Sequence, residues 1–261
     1  MQIELGTRGV SYDDAGEGSP VIFVHGFPHH RKLWAPQLRA LSGQYRAIAL
    51  DLPGFGESDM PERFAIETWA DGLARFLDAI EIQRAVIAGL SMGGYITLAF
   101  WRLHRDRVTA LVLADTRAGA DTEEGKQKRR ETIELARREG PTAVARAMLP
   151  GMVGKSTRER EPSVVATMRA MLESASVDSI VGASEAMMNR PDATASLATI
   201  DVPTLIIVGE EDVLTPPKES RAMHAAIADS RLEIIPGAGH VSNVERPAAF
   251  NQVLSEFLAG V

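Results

Sequence analysis

Short apolar runs alternate with amphipathic stretches through most of the chain. A continuous apolar run is typical of a strand buried on both faces of a parallel sheet, and apolar residues at helical spacing are typical of a helix packed on it. Predicted strands occupy 2–5, 9–14, 20–26, 45–51, 85–90, 108–115, 203–209 and 232–236. Predicted helices occupy 34–42, 66–81, 92–104, 217–229 and 247–259. The alternation predicts an α/β fold with a doubly wound, mostly parallel sheet, and with 2–5 and 9–14 as antiparallel strands at one edge.

The alternation is interrupted between residues 117 and 190, where no strand-like run occurs. Charged helical patterns take its place at 121–139, 141–149, 158–175 and 177–189. The segment holds 13 Lys and Arg against 11 Asp and Glu, so its charges nearly balance. We therefore predict a helical cap, 117–190, inserted after the sixth strand, and a core formed by 1–116 and 191–261.

A glycine-flanked serine follows the predicted strand 85–90 and precedes the predicted helix 92–104. The segment Gly89-Leu90-Ser91-Met92-Gly93 has the pattern G-x-S-x-G, in which a sharp strand-to-helix turn exposes the serine hydroxyl at the carboxyl edge of a sheet. Glycines are needed before and after the serine because the backbones approach closely there. The pattern predicts that Ser91 is a nucleophile; the alternative is a serine that only caps the helix.

A serine hydroxyl needs a neighbouring base, which a histidine late in the chain would supply. His240 follows the last predicted strand, and the small residues Gly237-Ala238-Gly239 before it suit a loop that places an imidazole over the serine. Of the other histidines, His25 is expected to be a hydrogen-bonded loop residue, and His29 and His30 are candidates for the mouth of a pocket. We predict that His240 is the base.

The acid that orients this base should lie between the serine and the histidine in the sequence. Asp212 fits, because it follows the predicted strand 203–209 at the edge of the sheet where a carboxylate reaches the imidazole. Asp115, at the end of another strand, is the main alternative, and Glu210 and Glu211 are weaker ones. We predict that Asp212 is the acid.

A serine that attacks a carbonyl group also needs donors for the oxyanion that forms in the transition state. The amide of Met92 is one candidate, because it follows the predicted nucleophile at a helix N-terminus. The amide of Phe27 is the second, because the preceding Gly26 lets the loop turn this N–H inward. We predict these two backbone amides as the oxyanion hole.

Composition and charge exclude several other kinds of chemistry. The 261 residues include no cysteine, which removes disulfides, thiolate metal sites and cysteine nucleophiles. With 28 Lys and Arg against 35 Asp and Glu, the net charge of −7 argues against a nucleic-acid partner. No spacing fits a metal site, no apolar run is long enough to span a membrane, and no signal peptide is recognisable. We predict no cofactor or metal, no nucleic-acid or membrane partner, and a cytoplasmic location, while the oligomeric state stays open.

Five motifs of the chain, taken together, resemble those of the α/β-hydrolase superfamily. They are His25-Gly26-Phe27-Pro28, Asp51 to Ser58, Gly89 to Gly94, Gly209 to Asp212, and Gly239-His240. The resemblance implies an α/β-hydrolase fold with a helical cap and the same site residues: Ser91 as nucleophile, Asp212 as acid, His240 as base, and the amides of Phe27 and Met92 as oxyanion hole. The segment 240–247 is similar to that of 3-oxoadipate enol-lactonases and related carboxylesterases. Haloalkane dehalogenases and epoxide hydrolases differ, because they carry aspartate where this chain has Ser91.

The main functional hypothesis is a serine carboxylesterase that cleaves small esters or lactones through an acyl-enzyme intermediate. The alternatives are an enol-lactonase-type lactone hydrolase, a perhydrolase or haloperoxidase-like enzyme that transfers the acyl group to peroxide, and a noncatalytic receptor on the same fold. Six of the ten methionines lie in the predicted cap; ordinary helix packing accounts for most of them, but a flexible apolar lining would favour a hydrophobic acyl group over a sugar or phosphate.

Overall fold

An eight-stranded sheet forms the centre of the computed structural model, which describes residues 1–261. The strands are β1 (Gln2–Leu5), β2 (Arg8–Ala15), β3 (Pro20–Val24), β4 (Arg46–Leu50), β5 (Ala85–Leu90), β6 (Val108–Ala114), β7 (Thr204–Gly209) and β8 (Ser230–Ile235). Their order in the sheet is β1-β2-β4-β3-β5-β6-β7-β8. The pairs β1–β2 and β2–β4 are antiparallel, and all pairs from β4 to β8 are parallel, which confirms the predicted edge.

Helices cover both faces of this sheet. They are α1 (Ala35–Leu41), α2 (Ile66–Ala79), α3 (Met92–His104), α4 (Glu123–Glu139), α5 (Pro141–Met152), α6 (Lys155–Arg160), α7 (Pro162–Glu173), α8 (Val177–Met188), α9 (Pro217–Ala226), α10 (Ser242–Glu245) and α11 (Pro247–Leu258). None of them combines the length and the apolar character that a bilayer-spanning helix needs.

The side chains of each strand alternate between two hydrophobic cores, one on each face of the sheet. Val21 and Phe23 of β3 pack in a core with residues of α1 and α11, whereas Ile22 and Val24 pack in the other core with residues of α2, α3 and α9. Because both faces are covered, the central strands carry continuous apolar runs, as the sequence indicates. The predicted doubly wound architecture is confirmed.

Five helices, α4 to α8, fill the chain between β6 and β7, which confirms a helical insertion after the sixth strand. Within it, α4 packs on α8 and α5 packs on α7. The single predicted helix 158–175 is wrong, because α6 ends at Arg160 and α7 begins at Pro162. Proline disfavours the helical conformation of the residue before it, and Glu161 has φ −131° and ψ 67°. The domain bounds at 117 and 190 stay a prediction.

Parallel strands bring their carboxyl ends to one edge of the sheet, so the loops that follow them meet there. These loops follow β3, β5, β6, β7 and β8, and they carry Phe27, Ser91, Asp115, Asp212 and His240. The topology therefore brings together residues that are far apart in the sequence.

Candidate active site

Ser91 lies on the sharp turn between β5 and α3, with φ 55° and ψ −113°. A non-glycine residue in this region of backbone space is strained, and such strain is common at functional sites. A Cβ atom on Gly89 would lie 2.2 Å from the Gly93 carbonyl oxygen, and one on Gly93 would lie 2.2 Å from the Val24 carbonyl oxygen. The two glycines are thus required by the close approach of β3, β5 and α3. The alternative of a capping serine is not observed, because the Ser91 side chain makes no cap hydrogen bond to α3.

Ser91, His240 and Asp212, which we call the triad, form a continuous hydrogen-bonded chain. Ser91 Oγ lies 2.8 Å from His240 Nε2, and His240 Nδ1 lies 2.8 Å from Asp212 Oδ2. The Asp212 carboxylate also accepts hydrogen bonds from the amides of Leu214 and Thr215, at 2.8 and 3.0 Å, and from the Thr215 hydroxyl at 2.7 Å. These bonds fix the carboxylate, so that Nδ1 donates to it and Nε2 is free to accept a proton.

Burial and charge act in opposite directions on the two ionisable members of the triad. Burial of His240 lowers its pKa, but the charge and hydrogen bond of Asp212 outweigh burial, so the pKa is raised above the ordinary 6.5. Burial of Asp212 raises its pKa, but the charge and hydrogen bond of His240 and the Thr215 bonds outweigh burial and lower the pKa. The pair therefore favours an ionised carboxylate beside an imidazole that accepts a proton readily.

Asp115, the main alternative acid, is buried beside the triad but makes no hydrogen bond to His240. One carboxyl oxygen accepts the Gly209 amide at 2.8 Å, and the other contacts the Ser242 hydroxyl at 2.6 Å. Burial, with the nearby charge of Asp212 in addition, raises the pKa of Asp115 to about 8. Asp115 thus links the ends of β6 and β7 to the chain that follows His240.

The two glutamates weighed as weaker alternatives point to other partners. Glu210 accepts the Gly237 amide at 3.1 Å. Glu211 accepts the Ser156 amide at 2.8 Å and so holds the first turn of α6. Neither carboxylate is hydrogen-bonded to His240.

The two predicted oxyanion donors flank Ser91. Met92 is the first residue of α3, and a first-turn amide has no carbonyl partner within its own helix. The amide of Phe27 has no hydrogen-bond acceptor in the chain. A Cβ atom on the preceding Gly26 would lie 3.1 Å from the Ser91 Cβ atom, so this loop runs directly against the serine. Both amides are therefore available for a ligand next to Ser91.

The histidines after β3 do not line the pocket, contrary to the expectation for His29 and His30. His29 is only 1% exposed, and neither of its ring nitrogens has a hydrogen-bond partner. His30 accepts the amide of Lys32 at the start of a short helical turn. His25 is a hydrogen-bonded loop residue as predicted: Nε2 accepts the Leu52 amide at 3.0 Å, and burial lowers its pKa to about 4.

A cavity of about 490 Å³ connects the triad with the inserted helices. Ser91, His240 and Phe27 line it together with residues of α4, α5 and α8. Three of the methionines noted in the sequence contribute to its surface: Met148, Met152 and Met187. The site is therefore a concave, partly apolar pocket of the size that small ligands occupy.

Four charged residues of the inserted segment, which the sequence analysis did not identify, form what we call the arginine cluster. They are Arg117, Asp121, Arg129 and Arg190. The buried Asp121 carboxylate is bonded to Arg117 at 2.5 Å, to Arg190 at 2.8 Å and to Arg129. Burial raises the pKa of Asp121, but the bonds and charges of Arg129 and Arg190 outweigh it and lower the pKa to about 2.

Comparison with known families decides where the protein belongs. Residues 19–247 match the family model described as alpha/beta hydrolase fold. The chain belongs to the α/β hydrolase family. Both the resemblance and the fold class expected from the sequence are thereby confirmed. No group of three or more His, Asp or Glu side chains in this α/β hydrolase is arranged to hold a metal ion.

Several solved structures of α/β hydrolases are similar along nearly the whole chain. A thermophilic esterase from Thermogutta terrifontis, solved with malate bound, is 38% identical with a TM-score of 0.96, over 100% of this chain and 98% of its own. An enol-lactonase from Burkholderia xenovorans is 30% identical with a TM-score of 0.92, and the match covers 99% of this chain and 100% of the enol-lactonase. A bromoperoxidase from Bacillus anthracis is 26% identical with a TM-score of 0.88, and the match covers 97% of this chain and 96% of the bromoperoxidase. The α/β hydrolase described here thus has esterases, lactonases and bromoperoxidases among its relatives.

Proposed function

We propose that this protein hydrolyses small carboxylic esters and lactones through an acyl-enzyme intermediate on Ser91. The observation that carries the proposal is the 2.8 Å contact between Ser91 Oγ and His240 Nε2, at the surface of a cavity large enough for a small ester. Similarity to an esterase and an enol-lactonase supports the same reaction type. The proposed partner is a small-molecule ester or lactone, and no cofactor, nucleic acid or membrane takes part.

In the proposed first half-reaction, His240 Nε2 removes the Ser91 hydroxyl proton as Oγ attacks the ester carbonyl carbon. The negative charge that develops on the carbonyl oxygen is stabilised by the amides of Phe27 and Met92, each of which typically contributes about 10²–10³ in turnover. When the tetrahedral intermediate collapses, His240 gives its proton to the leaving alcohol. An acyl group then remains on Ser91.

Water completes the proposed reaction by the same route. His240 takes a proton from the attacking water, the amides of Phe27 and Met92 again hold the oxyanion, and the proton returns to Ser91 Oγ as the acid leaves. Asp212 keeps Nδ1–H directed at itself throughout and stabilises the imidazolium, while the Thr215 hydroxyl and amide hold the carboxylate in place. In a lactone, the leaving alcohol stays attached to the acyl group, but the steps are unchanged.

Hydrolysis of 4-nitrophenyl butyrate and of a small lactone by Ser91→Ala tests the proposal. Ser91→Ala should lower turnover by at least about 10³-fold, because the nucleophile is lost and the rest of the triad cannot replace it. Ser163→Ala, in an exposed turn of α7, is the matched control and should retain turnover. Retained turnover in Ser91→Ala would exclude the proposed mechanism.

A second candidate is transfer of the acyl group from Ser91 to hydrogen peroxide instead of water. Similarity to the bromoperoxidase favours it. The two reactions share the acyl-enzyme and differ only in the nucleophile that releases it. Product analysis with an ester and peroxide together separates them, because peracid accumulates only if peroxide competes with water for the acyl group.

A further inference from the structure

The arginine cluster carries more positive charge than its own carboxylate neutralises. Three guanidinium groups share the single Asp121 carboxylate, which leaves a formal excess of two positive charges. Arg190 and Asp121 are buried, and their side chains are 3% and 0% exposed. The excess is on Arg117 and Arg129, whose side chains are 24% and 19% exposed and therefore only partly solvated, so an additional anion is a favourable partner for it.

The cluster faces the same cavity as the triad. Arg117, Arg129 and Asp121 line this cavity together with Ser91 and His240. By contrast, the nearby charges of Lys128 and Glu124 pair with each other at 2.7 Å and balance. The unbalanced charge of the cavity surface therefore comes from the arginine cluster.

Hydrogen-bonding capacity in and beside this cavity is also unused. Arg117 Nε is buried and has no hydrogen-bond partner. Ser184 is 1% exposed, lines the same cavity, and its hydroxyl has no partner either. Arg190 Nε, outside the cavity lining, is a third buried donor without an acceptor. Because these three atoms are enclosed by protein, the groups that an anion in the cavity would meet are the guanidinium groups of Arg117 and Arg129.

We infer that the arginine cluster binds a carboxylate of the substrate, and that the preferred substrates are esters or lactones with a second, ionised carboxylate remote from the bond that is cleaved. The inference rests on the proposed function for the cleavage itself. Guanidinium groups bind carboxylates through paired N–H···O bonds, which gives orientation as well as affinity. Arg117 is the specificity-determining residue, because its half-buried guanidinium group lies on the cavity surface and shares its carboxylate with two other arginines.

The methionines of the cavity suit the same substrate. Met148, Met152 and Met187 provide flexible apolar surface in the cavity that contains both Ser91 and the cluster. A short methylene chain that joins the ester carbonyl to the carboxylate would pack on this surface. The apolar lining noted from the sequence and a charged substrate are therefore compatible.

Two matched esters test the inference: the 4-nitrophenyl monoester of glutaric acid and its counterpart in which the free carboxylate is a carboxamide. The ratio of their kcat/KM values, after subtraction of spontaneous hydrolysis, isolates the effect of the negative charge. In the wild type the ratio should favour the carboxylate by about 10-fold or more, and high salt should reduce it. In Arg117→Gln the ratio should fall by about 10-fold, because a charge-assisted hydrogen bond is lost.

Arg138→Gln is the matched control. It removes the same charge from the inserted segment, but Arg138 is exposed and pairs only with Glu139. The control ratio should equal that of the wild type. If Arg117→Gln and Arg138→Gln change the ratio equally, or if neither changes it, the binding role of the cluster is overturned.

Ligand binding gives a second readout that does not depend on hydrolysis. Glutarate should raise the Tm of the wild type more than its neutral diamide does, and Arg117→Gln should lose this difference. If the wild type binds glutarate selectively but cleaves no ester, the proposed function fails and the carboxylate site stands. If it cleaves esters but shows no preference for glutarate or its monoester, the carboxylate site fails alone. The wild-type measurements decide the matter even if Arg117→Gln does not fold.

Discussion

The triad and the arginine cluster lie on the same cavity, and each is built around a buried carboxylate whose pKa is below its ordinary value. The two carboxylates differ in the number of positive charges that surround them. Asp212 has one ionisable partner, His240, and its remaining acceptor positions are filled by neutral donors. Asp121 has three permanently charged partners. The difference indicates two tasks: the triad is arranged to move a proton, and the cluster is arranged to hold an anion.

The way in which the chain supplies the two groups also differs. Loops after parallel strands hold the triad, so backbone topology alone brings its members together. Three parts of the inserted segment form the cluster: Arg117 and Asp121 precede α4, Arg129 lies in α4, and Arg190 follows α8. Packing of α4 on α8 brings these parts together. Substitutions in the two groups should therefore have separable effects.

The largest effect is expected for Asp212→Asn. The substitution removes the charge that favours the imidazolium and the acceptor that fixes the His240 tautomer, so kcat should fall by about 10³–10⁴-fold. Steady-state hydrolysis of 4-nitrophenyl butyrate measures it. Asp178→Asn, exposed in the first turn of α8, is the control. A fall of less than about 10-fold in kcat would show that Asp212 is not the orienting acid and would favour Asp115 in that role.

Asp121→Asn should act mainly on stability. It leaves three buried or half-buried guanidinium groups without their common carboxylate, and the free energy of unfolding should fall by about 3 kcal/mol. Urea denaturation measures the change. Glu124→Gln, which breaks an exposed ion pair on α4, is the control and should have little effect. Equal, small changes in both variants would mean that the cluster does not hold the inserted helices together.

The pH dependence of kcat/KM should reflect the raised pKa of His240. The imidazole must be neutral to accept the Ser91 proton, so activity is lost as the pH falls through the His240 pKa. Because Asp212 raises this pKa, the acid limb should have its midpoint above pH 6.5, the ordinary value for histidine. A midpoint at or below this value would contradict the described coupling between His240 and Asp212.

Asp115→Asn should change the pH dependence of Tm rather than the catalytic rate. The folded-state pKa of Asp115 is about 8 against an ordinary value of 3.8, so the folded protein keeps a proton that the unfolded chain has released. The wild type therefore loses stability relative to the variant as the pH rises from about 4 to about 8, and no further above that range. Thermal unfolding of both proteins across this range measures the trend. A constant difference in Tm would show that Asp115 is already ionised in the folded state.

The proximity of the three triad residues could be expected from the sequence, because each follows an apolar strand and is marked by neighbouring small residues or by chain order. Ser91 lies between glycines, His240 follows Gly239, and Asp212 follows β7. Strand ends of a parallel sheet meet at one edge, so no tertiary detail is needed to expect these residues together. The same argument could not separate Asp212 from Asp115, because both follow neighbouring strands. Only the side-chain directions distinguish them.

The arginine cluster could not be predicted in this way. The inserted segment has 13 Lys and Arg, and periodicity alone does not indicate which of them face the cavity. Asp121 and Arg190 are 69 positions apart, and they meet only because of the way the inserted helices pack. The break at Pro162 within a predicted helix has a local cause that the sequence does contain, namely the restriction of the residue before proline.

Activation of Ser91 is the central claim, and covalent labelling tests it most directly. A fluorophosphonate reacts with a serine only when a neighbouring base activates it, as His240 would activate Ser91. Intact-mass and peptide analysis should find a single adduct on Ser91 in the wild type and none in Ser91→Ala. His240→Gln, which removes the activating base, should also form no adduct on Ser91. An unlabelled wild type would indicate a noncatalytic ligand-binding protein, and an adduct on another serine of the cavity, such as Ser184, would contradict the assignment of the nucleophile.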